Sequence, residues 1–256
     1  MKHVIPALAL VAVPLLSHEP VAAQQQAQPT PIVSATYFYC DAGRADRASE
    51  IVRTVLAPIT QKHMDAGQIS AWGLLAHNTG GKWRRAIYYI GTDRAAVAAA
   101  RDSIVSEAAT SHAKEAAEFN SICPSHDDYI WTRAAGSQPA GQLATARPRA
   151  SLSTYQVCHE ATEGIYDEVM TSLYAPIYDR QVKAGRISSW TVLSHFIGGK
   201  YRRLLVMDGS DFESILAARD SIIADTQAKY PAIGAAVSEA CDGHTDYLWD
   251  IEMSRP

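Results

Sequence analysis

No block of lysine and arginine stands out in the 256 residues, and the formal charge is −4. Nucleic acid and anionic membrane surfaces are recognised by concentrated basic charge, so neither is an expected partner. After the N-terminal leader no segment is apolar enough to span a bilayer, which takes about 20 residues of helix. The catalytic signatures that can be read from sequence are missing too. There is no His-Glu-x-x-His, no glycine-rich phosphate loop and no serine, histidine and aspartate in a triad order. "GTDRAAV" (Gly91–Val97) opens a helix without phosphate-loop glycines. Cysteine is limited to four residues, none spaced Cys-x-x-Cys, so a four-thiolate metal site lacks its usual spacing and no metal ligand set is expected.

What is there begins at the N-terminus. Met1-Lys2-His3 gives a basic start, "VIPALALVAVPLL" is an apolar run of 13 residues, and Val21 and Ala23 are the small residues a signal peptidase reads. The expectation is a signal peptide over 1–23 with cleavage after Ala23. Gln24, not Cys, follows the site, so a lipoprotein anchor is not indicated. The mature chain is then exported, to the periplasm or beyond. In an oxidising compartment an even cysteine count reads as disulfides, with three pairings open to four residues.

"GGKWRR" at Gly80–Arg85 returns as "GGKYRR" at Gly198–Arg203, 118 positions on. The same offset lays Thr36-Tyr37-x-x-Cys40 on Thr154-Tyr155-x-x-Cys158. It also lays Ala57-Pro58-Ile59 on Ala175-Pro176-Ile177, and Ala99–Ile104 on Ala217–Ile222. Cys123-x-x-His126-x-Asp128-Tyr129-x-Trp131 falls on Cys241-x-x-His244-x-Asp246-Tyr247-x-Trp249. About a third of about 96 positions agree without a gap. The pattern is a tandem duplication: a polar lead-in over 24–33, a first repeat over 34–133, a linker over 134–151 rich in Ala, Gly, Pro and Ser, and a second repeat over 152–256.

Within each repeat "ATYFYC" and "STYQVC" read as strands. Ile51, Val52, Val55, Leu56 and Ile59 recur at helical spacing, as do Ile165, Val169 and Leu173. Pro58 or Pro176 inside that helix predicts a kink or a break, and Gly67 or Gly185 its end. "ISAWGLLAH" and "KWRRAIYYI" flank a Gly-Gly turn as a hairpin. Asp93 and Asp211, or the hydroxyl residues before them, cap a second helix. "DDYIW" and "TDYLW" form the last strands. The class is α+β, two βαββαβ units of the ferredoxin-like arrangement.

Two such units in one chain resemble a dimeric α/β-barrel protein whose subunits have been fused, as in the superfamily of small monooxygenases, NIPSNAP-type and stress-responsive barrel proteins. The resemblance implies two four-stranded sheets closing one pseudo-dimeric barrel within the chain. It also implies strand order 4-1-3-2 in each sheet, so that Cys40 and Cys123 lie at one end of neighbouring strands, as do Cys158 and Cys241. Bridges Cys40–Cys123 and Cys158–Cys241 are therefore expected rather than cross-repeat pairs.

His77 and His195 end second strands, and His126 and His244 open fourth ones. On barrel closure His77 is expected near His244, and His195 near His126. Such pairs could bind a metal or haem, or shuttle protons; alternatively each only hydrogen-bonds its turn. His-x-Asp, at His126/Asp128 and His244/Asp246, could orient an imidazole. Arg85 shares a strand face with Ile87 and Tyr89, and Arg203 with Leu205 and Met207. Burial of that face brings each guanidinium inward, where a carboxylate or anionic ligand has to meet it. Trp72, Trp190, Trp131, Trp249, Tyr37 and Tyr155 read chiefly as core between sheet and helices.

Three functions remain. One is an exported binding or accessory protein holding a small apolar or anionic molecule in the barrel. The second, from the resemblance, is a cofactor-independent or haem-linked oxygenase or isomerase. The third is an interaction module with a packed barrel. Ligand, cofactor and oligomeric state stay open.

Overall fold

The computed structural model describes residues 30–137 and 147–255. The expected signal peptide, most of the lead-in and the middle of the expected linker lie outside them. The strands of the first half are β1 (Ile32–Tyr39), β2 (Ala71–Gly80), β3 (Arg85–Gly91) and β4 (Ser125–Gly136). Its helices are α1 (Ala45–Ile51), α2 (Ala57–Asp65), α3 (Arg94–Ser111) and α4 (Ala113–Ile122). The second half repeats the order with β5 (Ala150–Cys158), β6 (Ser189–Ile197), β7 (Arg203–Gly209) and β8 (Cys241–Arg255). Around these strands lie α5 (Glu163–Val169), α6 (Ala175–Lys183), α7 (Phe212–Lys229) and α8 (Ile233–Ala240).

The eight strands close one antiparallel barrel in the order β1-β3-β2-β8-β5-β7-β6-β4. Within each half the order is fourth, first, third, second, so the seams join the second strand of one half to the fourth of the other. β2 pairs β8, and β4 pairs β6. Closure leaves no free sheet edge. Because the strands alternate, Val33, Ala35, Tyr37 and Tyr39 face the lumen while Ile32, Thr36 and Phe38 face the helices. Both faces are buried.

The local reasons follow the sequence. Asp93 accepts from the Ala96 amide and Asp211 from the Ser214 amide, which caps α3 and α7. Proline does not break the first helix of either half. It follows a single π-helical stretch, Val52–Leu56 before Pro58 and Met170–Tyr174 before Pro176, and helix continues on both sides. Proline has no amide hydrogen to give, and a wider turn just ahead of it absorbs the missing bond. The disulfides are Cys40–Cys123 and Cys158–Cys241.

The repeated Gly-Gly hairpin has a structural purpose. Gly80 sits at φ 125°, and a Cβ there would stand 2.2 Å from the Asp246 carbonyl oxygen; at Gly198, φ 147°, it would stand 2.4 Å from the Tyr129 ring. Only glycine lets each turn lie against the fourth strand of the other half. The aromatic residue that follows then caps the lumen. Trp83 stacks on Tyr37 with ring centroids 4.3 Å apart and on Tyr247 at 5.1 Å, and Tyr201 takes the matching position 5.4 Å from Tyr155.

The lumen is a packed core of rings, with Tyr129 stacked on Trp131 and Tyr247 on Trp249. This corrects the expected place of a ligand, since side chains fill the interior of the barrel. Trp131, Trp249, Tyr37 and Tyr155 belong to this lumen core, whereas Trp72 and Trp190 pack between sheet and helices as expected.

Candidate functional site

Two openings outside the lumen stand out among the described residues. The larger is a groove of about 560 Å³ between the outer face of the first-half sheet and its helices. Its floor is Phe38, Ile87 and Tyr89, and its walls come from Val55 and Leu56 of the π-helical turn and from Ala108 and Phe119. Burial pushes the Tyr89 phenol up to about 12, so it remains a donor at neutral pH. Val105, an exposed apolar residue, stands at the rim.

One end of the groove is polar. Thr36 Oγ1 donates to Asp128 Oδ1 at 2.6 Å, and Asp128 Oδ2 lies 3.3 Å from His126 Nε2. A carboxylate held by a hydroxyl orients an imidazole that is half exposed at the groove mouth. That imidazole can hydrogen-bond a ligand or take a proton from it. In the second half His244 Nε2 stands 3.5 Å from Asp246, but Asp246 Oδ1 is buried without a partner. The three-residue arrangement is complete only beside the groove.

The second half also fills the equivalent space. Leu56 corresponds to Tyr174 and Ala108 to Thr226, and the half-buried Tyr174 phenol lies beside Thr226. Tyr174 packs on Tyr178, which stacks on Trp190 at 5.1 Å. A small side chain opposite Leu56 leaves room for a ligand; a phenol opposite a threonine does not.

The smaller opening, about 480 Å³, is polar and lies under the start of α1, lined by His77, Arg84, Arg85, Asp46, Asp250 and Glu252 among others. Arg85 is buried as expected, but toward the helices and not the lumen. Its Nε donates to Ser49 at 2.6 Å and its Nη2 to Asp46 at 3.0 Å. Arg203 is buried in the same way, with Asp167 accepting at 2.7 and 2.6 Å and Glu163 at 3.0 Å. Burial lowers the pKa of Arg85. At Arg203 burial acts in the same direction, but Asp167 and Glu163 outweigh it and raise the pKa. The protein's own carboxylates therefore satisfy Arg203.

The expected histidine pairs do not form. Across the seams His77 pairs in register with Trp249, and His195 with Trp131. A register shift between His77 and Thr79 and the turn at Gly80 keep His77 well short of His244 along β8. Both rings pack edge-on against aromatics of the other half, and each Nε2 is buried without a partner. Burial first, and then Arg84 or Arg202, holds each imidazole below its usual pKa and so toward its neutral form. Among the described residues no group of three or more His, Cys, Asp and Glu could hold a metal ion.

No known protein family matches the sequence. No curated protein matches it either. Solved structures do share its fold. A proposed monooxygenase from Fusobacterium nucleatum superposes with a TM-score of 0.60 at 10% identity, covering 88% of this chain and 94% of its own. An anthrone oxidase-like protein gives 0.54 at 11% identity over 89% and 93% of the two chains. A proposed chlorite dismutase gives 0.54 at 7% identity over 88% and 96%. At such identities the likeness shows the fold alone: an α+β chain with an eight-stranded closed antiparallel barrel.

Proposed function

We propose that this chain is an exported binding protein that holds a small apolar molecule, with one polar end, in the groove of its first half. The reading includes an origin by duplication of one ferredoxin-like βαββαβ unit. The observation that carries it is the contrast between the halves: Leu56 and Ala108 leave open a space that Tyr174 and Thr226 fill. The size, apolar lining and single polar end of the groove are those of a small-molecule site. The two disulfides suit an oxidising compartment. Among the described residues no helix is long and apolar enough to cross a membrane. N-terminal sequencing of the protein from its native envelope is expected to begin at Gln24; a chain still starting at Met1 removes export from the reading.

The groove is tested by writing the second half's plug into the first. Leu56→Tyr with Ala108→Thr is expected to weaken binding of the fluorescent probe 1-anilinonaphthalene-8-sulfonate at least tenfold, about 1.4 kcal/mol. The melting temperature should stay near that of the wild type, because the second half already packs this pair. Unchanged probe binding would place the ligand elsewhere.

A second reading, an oxygenase of the kind the neighbours' names suggest, is favoured by His126. Held by Asp128 at the mouth, it is placed as a general base for an acidic hydroxyl or carbon acid bound in the groove. Oxygen uptake with anthrone as the probe, lost in the plugged variant, is what this reading requires. No uptake above the uncatalysed rate leaves the binding protein alone.

A further inference from the structure

The polar cavity beside Arg85 shares no lining residue with the groove, and its charges do not balance in pairs. Glu252 is met by Arg53 at 2.7 Å, and Asp46 by Arg85 at 3.0 Å. That leaves one cation and one anion. Arg84 donates only to the carbonyls of Gly81 and Trp83, and among the described residues it has no carboxylate partner. Among the described residues the Asp250 side chain accepts only from the Asn78 amide at 3.3 Å and has no cation. Both line the same cavity, yet they do not pair with each other.

The second half shows what a closed version looks like. Arg202 is bound by Glu163, with Glu160 at 4.0 Å, and Glu163 and Asp167 close on Arg203. Shifted by 118, Glu160, Glu163 and Asp167 become Ala42, Ala45 and Ser49, and Thr132 becomes Asp250. The three carboxylates of the second half's wall are uncharged side chains here, which opens the cavity and leaves Arg84 without an anion, while Asp46, paired to Arg85, stands where the second half has Gly164. The other wall gains two carboxylates, Asp250 and Glu252, where the second half's equivalent has Thr132 and Ala134, and of these Glu252 is taken by Arg53.

The geometry points to a small zwitterion of the amino-acid class, its carboxylate on Arg84 and its ammonium toward Asp250. A guanidinium and a carboxylate that face one cavity without meeting each gain a charge-assisted bond from such a ligand. A simple anion would meet Asp250, and a simple cation Arg84, each at a like-charge cost. Asp46, on the exposed side of Arg85, leaves a path for entry.

Calorimetric titration of the mature full-length protein tests this with glycine and L-glutamine, and with acetate and methylammonium as half-ligands. One or both zwitterions are expected to bind at least tenfold more tightly than either half-ligand. Ala45→Glu restores the carboxylate of the second half. It should reduce zwitterion affinity at least tenfold while raising the melting temperature, since the new carboxylate occupies the site and pairs the guanidinium. Arg84→Gln, which removes only this half-buried cation, should lose the same affinity without a rise in melting temperature, and it keeps the test open if Ala45→Glu fails to fold. No binding of either zwitterion overturns the proposal, as does equal binding of acetate, or affinity that survives both substitutions.

Discussion

Cys40→Ala with Cys123→Ala is expected to lower the melting temperature by about 10 °C, and Cys158→Ala with Cys241→Ala by a similar amount. Each bridge joins residues 83 positions apart. In the chain-entropy model a loop of that length withdraws about 4.5 kcal/mol from the unfolded ensemble. In a chain of this size 1 kcal/mol moves the melting temperature by roughly 2–4 °C. The bridges close loops of equal length and differ in where they lie. Cys123 lines the groove, and its bridge ties the end of β1 to the turn before β4, next to Phe38 and His126. Loss of this pair is expected to weaken probe binding as well, whereas loss of the second pair should leave binding intact at temperatures where the protein is folded. Melting curves that fall by less than about 2 °C would mean that the closed sheet alone fixes these strand ends.

The places where the halves agree and differ divide the molecule into scaffold and candidate sites. Many positions identical at the 118 offset are scaffold: the four cysteines, the capping Asp93 and Asp211, the Gly-Gly turns and the ring-stacked Tyr129 and Tyr247, whereas the repeated Thr36, His126 and Asp128 border the groove. The caps and turns were legible because each follows from a local rule, and the cysteine pairing because the resemblance implied the strand order; the stacking of Tyr129 and Tyr247 was not legible. The two openings lie where the halves disagree, at Leu56 against Tyr174 and at Ala45 against Glu163. Attention to repeated residues passes over them, although the differences themselves, small or uncharged side chains in one copy only, were the available signal.

Arg85 shows another limit. Alternation establishes that it shares a face with Ile87 and Tyr89, but in a barrel wrapped by helices both faces are apolar and buried, so periodicity cannot say which one is the lumen. The histidines fail for a third reason. Their partners depend on register across seams between strands far apart in sequence, with irregularities between Leu74 and Leu75 and between His77 and Thr79 that no local rule dictates.

Expressed separately, residues 24–140 and 146–256 are expected to yield no stable folded monomer at low micromolar concentration. Separation opens both seams at once, leaving the backbone groups of β2, β4, β6 and β8 unpaired along those edges. It also wets the ring core, because several ring contacts cross between halves: Trp83 on Tyr247, Tyr37 on Tyr155 and Trp83 on Tyr201. Each half contributes four of the eight buried lumen rings. At about 2 kcal/mol for each ring exposed, the loss is roughly 8 kcal/mol per half, comparable with the 5–15 kcal/mol that holds an ordinary domain together. The outer layer between sheet and helices survives the cut, so the fragments should keep helical circular dichroism while losing the near-ultraviolet signal of the ordered rings. Mixing them should restore that signal, with a sedimentation coefficient matching the intact chain, because the seams need no covalent link to close. Two fragments that each melt cooperatively as monomers, and do not associate when mixed, would show that the lumen core contributes far less than its packing indicates.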